Sequence, residues 1–297
     1  MFRRALFLFV LIYLMALAYP VATAQSNYAS DLAGYLSAHY KKKVFLLRNF
    51  YFNDELKYDA TGTPIGKVQP GLWTVSGIIR IDRISVKGDR IEITAKRLVL
   101  AIDKDNKLDY AQSDRDASIV IESDPKNLTA DKADSILSKV FLVEQDHFEA
   151  LVPMFWKPCI TAAANGGEGK GSEHCKFSKK FSSLPGVHLN TGNSTVSVLD
   201  PSIDRVGDGV TPPKPIYMPD PQYSPVARAA SLAGTAVLLV VVDKNGLPSK
   251  IWVQRPLGYG QDEMAVAAVA TWKFSPAKKN DQPLAVQISV EVEFRLY

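Results

Sequence analysis

The most regular pattern of apolar and polar positions lies near the C-terminal end of the chain. Val286, Ile288, Val290, Val292 and Phe294 alternate with Gln287, Ser289, Glu291 and Glu293, and Leu284 and Leu296 continue the apolar set. A period of two over this length predicts a strand with one packed face and one wet face. Upstream, "TAVLLVVVD" reads as a strongly apolar strand and "SKIWVQR" as its return, with "DKNG" as the hairpin signal between them. Two helices belong to the same segment. Ser224 caps the first, with Pro225 at its first position; it runs through Val226, Ala229, Ala230 and Ala233 to a stop at Gly234. The second starts near Asp262, where Asp262 and Glu263 suit the positive helix end, and Ala265, Ala268, Val269 and Trp272 share a face. Helix, strand, strand, helix, strand predicts a three-stranded antiparallel sheet over about 80 residues. Such a sheet leaves two edges, and a long open edge is a pairing hazard unless a partner uses it.

The pattern before residue 184 is different but also rich in strands. "WTVSGIIRIDRISVKGDRIEITAKRLVLAI" places Trp73, Val75, Ile79 and Ile81 at period two, with bulges expected at Gly77 and near Arg83 and Ile84. Lys87-Gly88-Asp89 reads as a hairpin turn, after which Ile91, Ile93 and Leu98 resume the alternation. Residues 117–123 form another expected strand. Thr129 is a candidate cap for a helix carrying Ala133, Ile136, Leu137 and Val140. Residues 28–48 begin helical and turn strand-like at Val44, Phe45, Leu46 and Leu47. The expected class is therefore α+β. An antiparallel β-rich domain spans 25–183, a Pro/Gly-rich connector 184–218, and an α-β-β-α-β domain 219–297. Pro212, Pro213 and Pro215 favour an extended connector.

The first residues add a compartment. Arg3 and Arg4, an apolar run over 5–19, Pro20 and the small-residue site Ala22-Thr23-Ala24 have the order of a secretory signal peptide, cleaved after Ala24. The alternative is an uncleaved inner-membrane anchor through residues 5–24, close to the roughly 20 residues that a span needs. No cysteine follows the run, which excludes lipoprotein processing, and either reading exports the bulk of the chain. In an oxidising compartment the two cysteines, Cys159 and Cys175, form a disulfide by default, with free thiols the alternative. His174 beside them makes an incomplete metal set.

Composition is ordinary: 46% hydrophobic and 22% charged, with a formal charge of +4. That excess, two of it from Arg3 and Arg4, is too small to indicate a nucleic-acid partner. Candidate chemistry is sparse. Glu144, Asp146, His147 and Glu149 offer acid–base groups, but a mixed polar face accounts for them as well. "YKKKV" at 40–44 is a basic cluster of the kind found on solvated faces, and His39 and His188 are isolated. Neither a serine-nucleophile elbow nor an H-E-x-x-H motif occurs, and the Gly-rich loop after Cys159 lacks the spacing of a phosphate cradle. No enzyme, cofactor or metal site is expected.

"DPQYSPVARAASLAGTAVL", "VVVDKNGLPSKIWVQRPLGYGQDEMAVAAVATWKFSPA" and "QPLAVQISVEVEFRLY" together resemble the C-terminal domain of the TonB family. Tyr223, Pro225, Gly234, Asp243, Gly246, Gly258, Asp262, Trp272, Phe274 and Pro276 follow the family's order, and the likeness covers residues 219–297. It implies a protein of the Gram-negative periplasm and cell envelope that takes part in TonB-dependent transport. The family's domain grips the box peptide of an outer-membrane TonB-dependent receptor by strand addition, with no cofactor. The resemblance puts that edge on Val286, Gln287, Ile288, Ser289, Val290, Glu291, Val292, Glu293 and Phe294. Two departures matter. Gln261 stands where the family is more often apolar and is expected to loosen the second helix. The apolar run at 5–24 lacks the Ser and His with which force-transmitting members contact inner-membrane proton-channel proteins. A secreted envelope adaptor that binds protein without protonmotive force therefore stays open. For the last strand, burial against the N-terminal domain or against a second copy in a homodimer stays open as well.

Overall fold

The computed structural model describes residues 30–123, 128–164, 175–189 and 203–296. The leader and the Gly-rich loop at 165–174 lie outside the described residues. The described residues begin with a helix over 30–40 (α1), followed by β1 (Val44–Leu46), β2 (Glu55–Tyr58), the one-turn helix α2 (Trp73–Ser76), β3 (Ile78–Lys87), β4 (Arg90–Ile102), β5 (Leu108–Glu122) and α3 (Ala130–Val140). These strands form one five-stranded sheet in the order β1-β3-β4-β5-β2, antiparallel except for the β2–β5 pair. Thr129 caps α3 as expected, its hydroxyl accepting from the Lys132 amide at 3.2 Å. The Lys87–Arg90 turn closes the β3–β4 hairpin, and a bulge falls between Ile81 and Arg83.

Two expectations fail here. Trp73 and Val75 lie in α2 and not in a strand, because all four residues of that turn are buried and periodicity cannot separate a short buried helix from a strand. Gly77 is the cap of that helix and not a bulge. A second bulge, between Lys96 and Leu98, turns Arg97 inward, where it is wholly buried.

One sheet face is sealed by α1 and α3. Leu36, Leu137 and Val140 pack there on Phe45, Ile79, Ile93 and Ile119. The opposite face, around Leu98, Leu100 and Leu108, meets an aromatic group: Trp73 stacks edge-on against Trp156 and Phe148, each at 5.2 Å between ring centroids. This group sits among α4 (Lys157–Ala164), α5 (Lys179–Ser182) and the single-turn helix Met154–Trp156. Cys159 and Cys175 are bonded, with 5.3 Å between their Cα atoms.

The rest of the chain comprises β6 (Asp204–Arg205), β7 (Val210–Thr211), β8 (Lys214–Tyr217), α6 (Pro225–Ala229), β9 (Gly234–Val242), β10 (Pro248–Arg255), α7 (Gln261–Val269), β11 (Lys273–Ser275), β12 (Ala277–Lys279), β13 (Gln282–Leu284) and β14 (Val286–Phe294). The expected helix–strand–strand–helix–strand order is present. Ser224 caps α6, its hydroxyl accepting from the Ala227 amide at 3.0 Å, but the helix ends at Ala229, so Gly234 opens β9 and does not stop a helix. The hairpin between β9 and β10 is held by Asp243, whose carboxylate accepts from the Asn245 and Leu247 amides. The described part of the connector is pinned: β6 pairs with β14, β7 with β12 and β8 with β11. One apolar cluster runs from Leu98 and Trp73 to Leu238, Val240 and Val292, so the two halves share a core.

Candidate functional site

Strand β14 is long and apolar on one side, so its place in the sheet decides what it can do. It pairs antiparallel with β9 over all nine residues, from Val286↔Val242 to Phe294↔Gly234. Strand β9 pairs on its other side with β10, and the order is β10-β9-β14-β6. Val286, Val290, Val292 and Phe294 are buried, and Ser289, Glu291 and Glu293 are exposed, as the alternation predicts. Two positions depart from it. Gln287 is buried on the wet side, and Leu296, beyond the strand end, is exposed.

The two sides of this sheet are not equivalent. The β10 side is occupied by the N-terminal half: Met154–Trp156 and α4 rest against it, and the Cys175 sulfur lies 3.5 Å from the Gln254 carbonyl oxygen. On the β14 side, β6 pairs only with Val286 and Gln287, in parallel. Among the described residues no strand pairs with the outer edge of β14 over 288–294. In an antiparallel ladder alternate residues direct N–H and C=O away from the partner, so this stretch presents unpaired backbone groups.

Beside it lies a groove of about 820 Å³ between residues 218–223 and the strand end at 291–296, with Arg228 and Trp272 completing the wall. Tyr223 packs edge-on against Phe294 at 5.5 Å, and the Arg228 guanidinium lies over the Tyr223 ring at 5.2 Å. The Trp272 indole N–H donates to the Pro219 carbonyl at 3.1 Å and fixes the facing segment. Two ion pairs involve the exposed carboxylates of the strand. Arg255 lies 3.8 Å from Glu291, and Arg295 donates to Glu293 at 2.5 Å, a bond that holds the Glu293 carboxyl below its ordinary range.

The start of α7 faces the N-terminal half. Asp262 accepts from the Leu257 and Gly258 amides, both at 2.8 Å, and so ties the loop before α7 to the first turn of the helix. Glu263 accepts from the Thr74 hydroxyl at 2.7 Å and from the Trp156 indole N–H at 3.3 Å; its second oxygen is buried without a partner. Burial pushes both carboxyls up, and the neighbouring Glu263 adds to the effect at Asp262. Gln261 does not loosen the helix. It is fully buried, and its side-chain oxygen accepts from the Ser224 amide at 3.0 Å, tying α7 to α6.

Other candidates from the sequence stay apart. Asp146 is held by the Arg48 guanidinium at 2.6 Å and the Val143 amide at 2.7 Å, while His147 contacts Glu149 at 3.2 Å. Among the described residues no three His, Cys, Asp or Glu side chains converge on a metal position. Lys41, Lys42 and Lys43 are exposed on a turn.

This part of the chain is a small α+β module in which, among the described residues, most of β14 forms an open sheet edge. Residues 219–296 match the family described as Gram-negative bacterial TonB protein C-terminal, and this segment is a TonB C-terminal domain. It is similar to Protein tonB2 of Pseudomonas aeruginosa, with 38% identity over 82 residues, 27% of this chain and 30% of that one. It is also similar to Protein TonB from two strains of Xanthomonas campestris pv. campestris, at 34% over 80 residues, 27% of this chain and 36% of each. The match thus spans about a third of the length of these relatives. A solution NMR structure of the Pseudomonas aeruginosa TonB C-terminal domain aligns at 22% identity with a TM-score of 0.24, covering 31% of this chain and 90% of that one.

Proposed function

We propose that the chain is a TonB-like protein of the Gram-negative periplasm that binds outer-membrane transport receptors by β-strand addition at β14. The observation that carries this reading is the edge over residues 288–294, unpaired among the described residues and flanked by the Tyr223 and Arg228 groove. Backbone pairing supplies affinity, and alternate side chains of the guest meet the groove wall or the exposed Ser289, Glu291 and Glu293. The test is amide hydrogen exchange of the full chain with peptides from receptor N-termini. Slowed exchange at alternate amides in 288–294, weakened about tenfold or more by Tyr223→Ala, supports it. Binding that leaves those amides unchanged overturns it.

A second reading is an adaptor that uses the same edge without force coupling. It is favoured by the shared core: the folded N-terminal half packs directly on the TonB-type domain, where force-transmitting members carry a long spacer. Native protein retained in the inner membrane by residues 1–24 would exclude the adaptor; soluble periplasmic protein beginning at Gln25 would favour it.

A further inference from the structure

The connector itself touches the edge on which the proposed function rests. Strand β6 takes Val286 and Gln287, two of the nine residues of β14, and leaves seven. The turn after β6 is built to hold it there. Asp208 and Gly209 both have positive φ, 49° and 83°, and Gly207 and Val210 exchange backbone hydrogen bonds at 3.3 and 2.9 Å. That is a two-residue mirror-image turn, the kind that Asp-Gly favours. It sends the chain away from β14 and into β7, which is fastened to β12 through Thr211↔Lys278 and Val210↔Lys279. Val206, 46% exposed, and the turn thus come directly after β6, where the chain leaves the edge of β14 at Ile288. A guest strand running along β14 meets this turn end-on.

We infer that β6, held by the Asp208-Gly209 turn, is a stop that limits an added strand to residues 288–294 and fixes its register. The partner it fits is a short extended segment that ends or bends after about seven paired residues, as opposed to a long strand free to slide. This rests on the strand-addition reading, and the test separates the two. Acetylated, amidated peptides of alternating Val and Thr, about seven and about eleven residues long, are titrated into the full chain and followed by hydrogen exchange.

In the unmodified chain both lengths are expected to bind within about twofold of each other and to protect amides in 288–294. Two variants release the stop by different routes. Gly209→Val puts a β-branched residue at a φ of 83° with open space around its side chain, so it acts on the turn alone. Arg205→Pro places an imino acid within the two-residue strand β6, where it weakens pairing. In both, the longer peptide is expected to gain about tenfold while the shorter is unchanged. A tenfold advantage of the longer peptide in the unmodified chain, or no gain in either variant, overturns the stop and leaves strand addition standing. No protection of 288–294 by either peptide overturns strand addition and the stop with it.

Discussion

Arg97 sits where a strand would ordinarily place an apolar residue. The bulge in β4 turns it inward, and its guanidinium donates to the Ser76 carbonyl at 2.8 Å and the Asn53 carbonyl at 2.5 Å, so it holds the end of α2 and the loop before β2. Burial, aided by nearby Arg115, lowers its pKa to about 10, still well above neutrality, so the charge is retained. Arg97→Met keeps the volume but strands both carbonyls, and is expected to cost about 2–4 kcal/mol in urea unfolding. A loss under about 0.5 kcal/mol would show that the bonds add nothing. Glu263 makes the opposite trade, since its folded-state pKa is raised from 4.5 to about 6 by burial. Its contribution is therefore complete below the unfolded value and is lost as pH rises through about 6, on the order of 2 kcal/mol. Asp262, raised to about 8, carries the decline further. Thermal unfolding should show stability falling between about pH 4 and 8, and Glu263→Gln, which keeps an acceptor for Thr74 and Trp156, should flatten the lower part of that slope. An unchanged slope in that variant would remove Glu263 from the explanation.

Single elements explain what could be read in advance. Strands β9, β10 and β14 and the caps at Ser224 and Thr129 were legible because each writes its own local pattern: alternation, a hairpin signal, a side chain that accepts an amide. Half of β5 was not, since Asp109, Gln112, Asp114 and Asp116 interrupt any apolar period on a face that meets water. β6 and β7 were missed within a connector read as unpatterned, although Asp208-Gly209 was a signal that the sequence offered. The residues of β14 were legible as a strand, but how much of their outer edge stays open was not, because that depends on where β6 pairs. The loop at Gly258 belongs to this scale too. Its backbone, at a φ of 86°, runs so close to β4 that an added Cβ would sit 2.8 Å from the Leu100 oxygen, while the Tyr259 amide donates to that same carbonyl at 2.8 Å. Gly258→Val is expected to destabilise the whole chain by about 3 kcal/mol or more, read as a drop in thermal midpoint. A midpoint within a degree or so of the parent would mean that the loop can shift away at little cost.

At the scale of the molecule, the N-terminal half acts as a cover. Trp156 reaches Glu263, α4 lies on β10, and the Cys159–Cys175 bond holds the segment that rests there. A fragment of residues 203–297 would uncover β10 together with the apolar side chains that Trp73 and Trp156 now shield. Sedimentation of that fragment should show association that grows with concentration, while the full chain at equal concentration shows far less. Equal behaviour of the two would mean that the cover is dispensable. The sequence divided these halves by composition, and composition carries no information about packing between them; the contact shows in the fold, where Trp73, Leu98 and Leu100 share a core with β9 and β14.

The covered side of the sheet also limits how copies can assemble. A sheet that offers two open edges has a valence of two and propagates like a polymer, whereas one that offers β14 alone has a valence of one. If two chains meet along β14, each uses the one edge it has, and the ladder closes on itself as an isologous pair. Growth along β14 terminates there, because the strand that would seed a ladder is the one consumed in closing the pair.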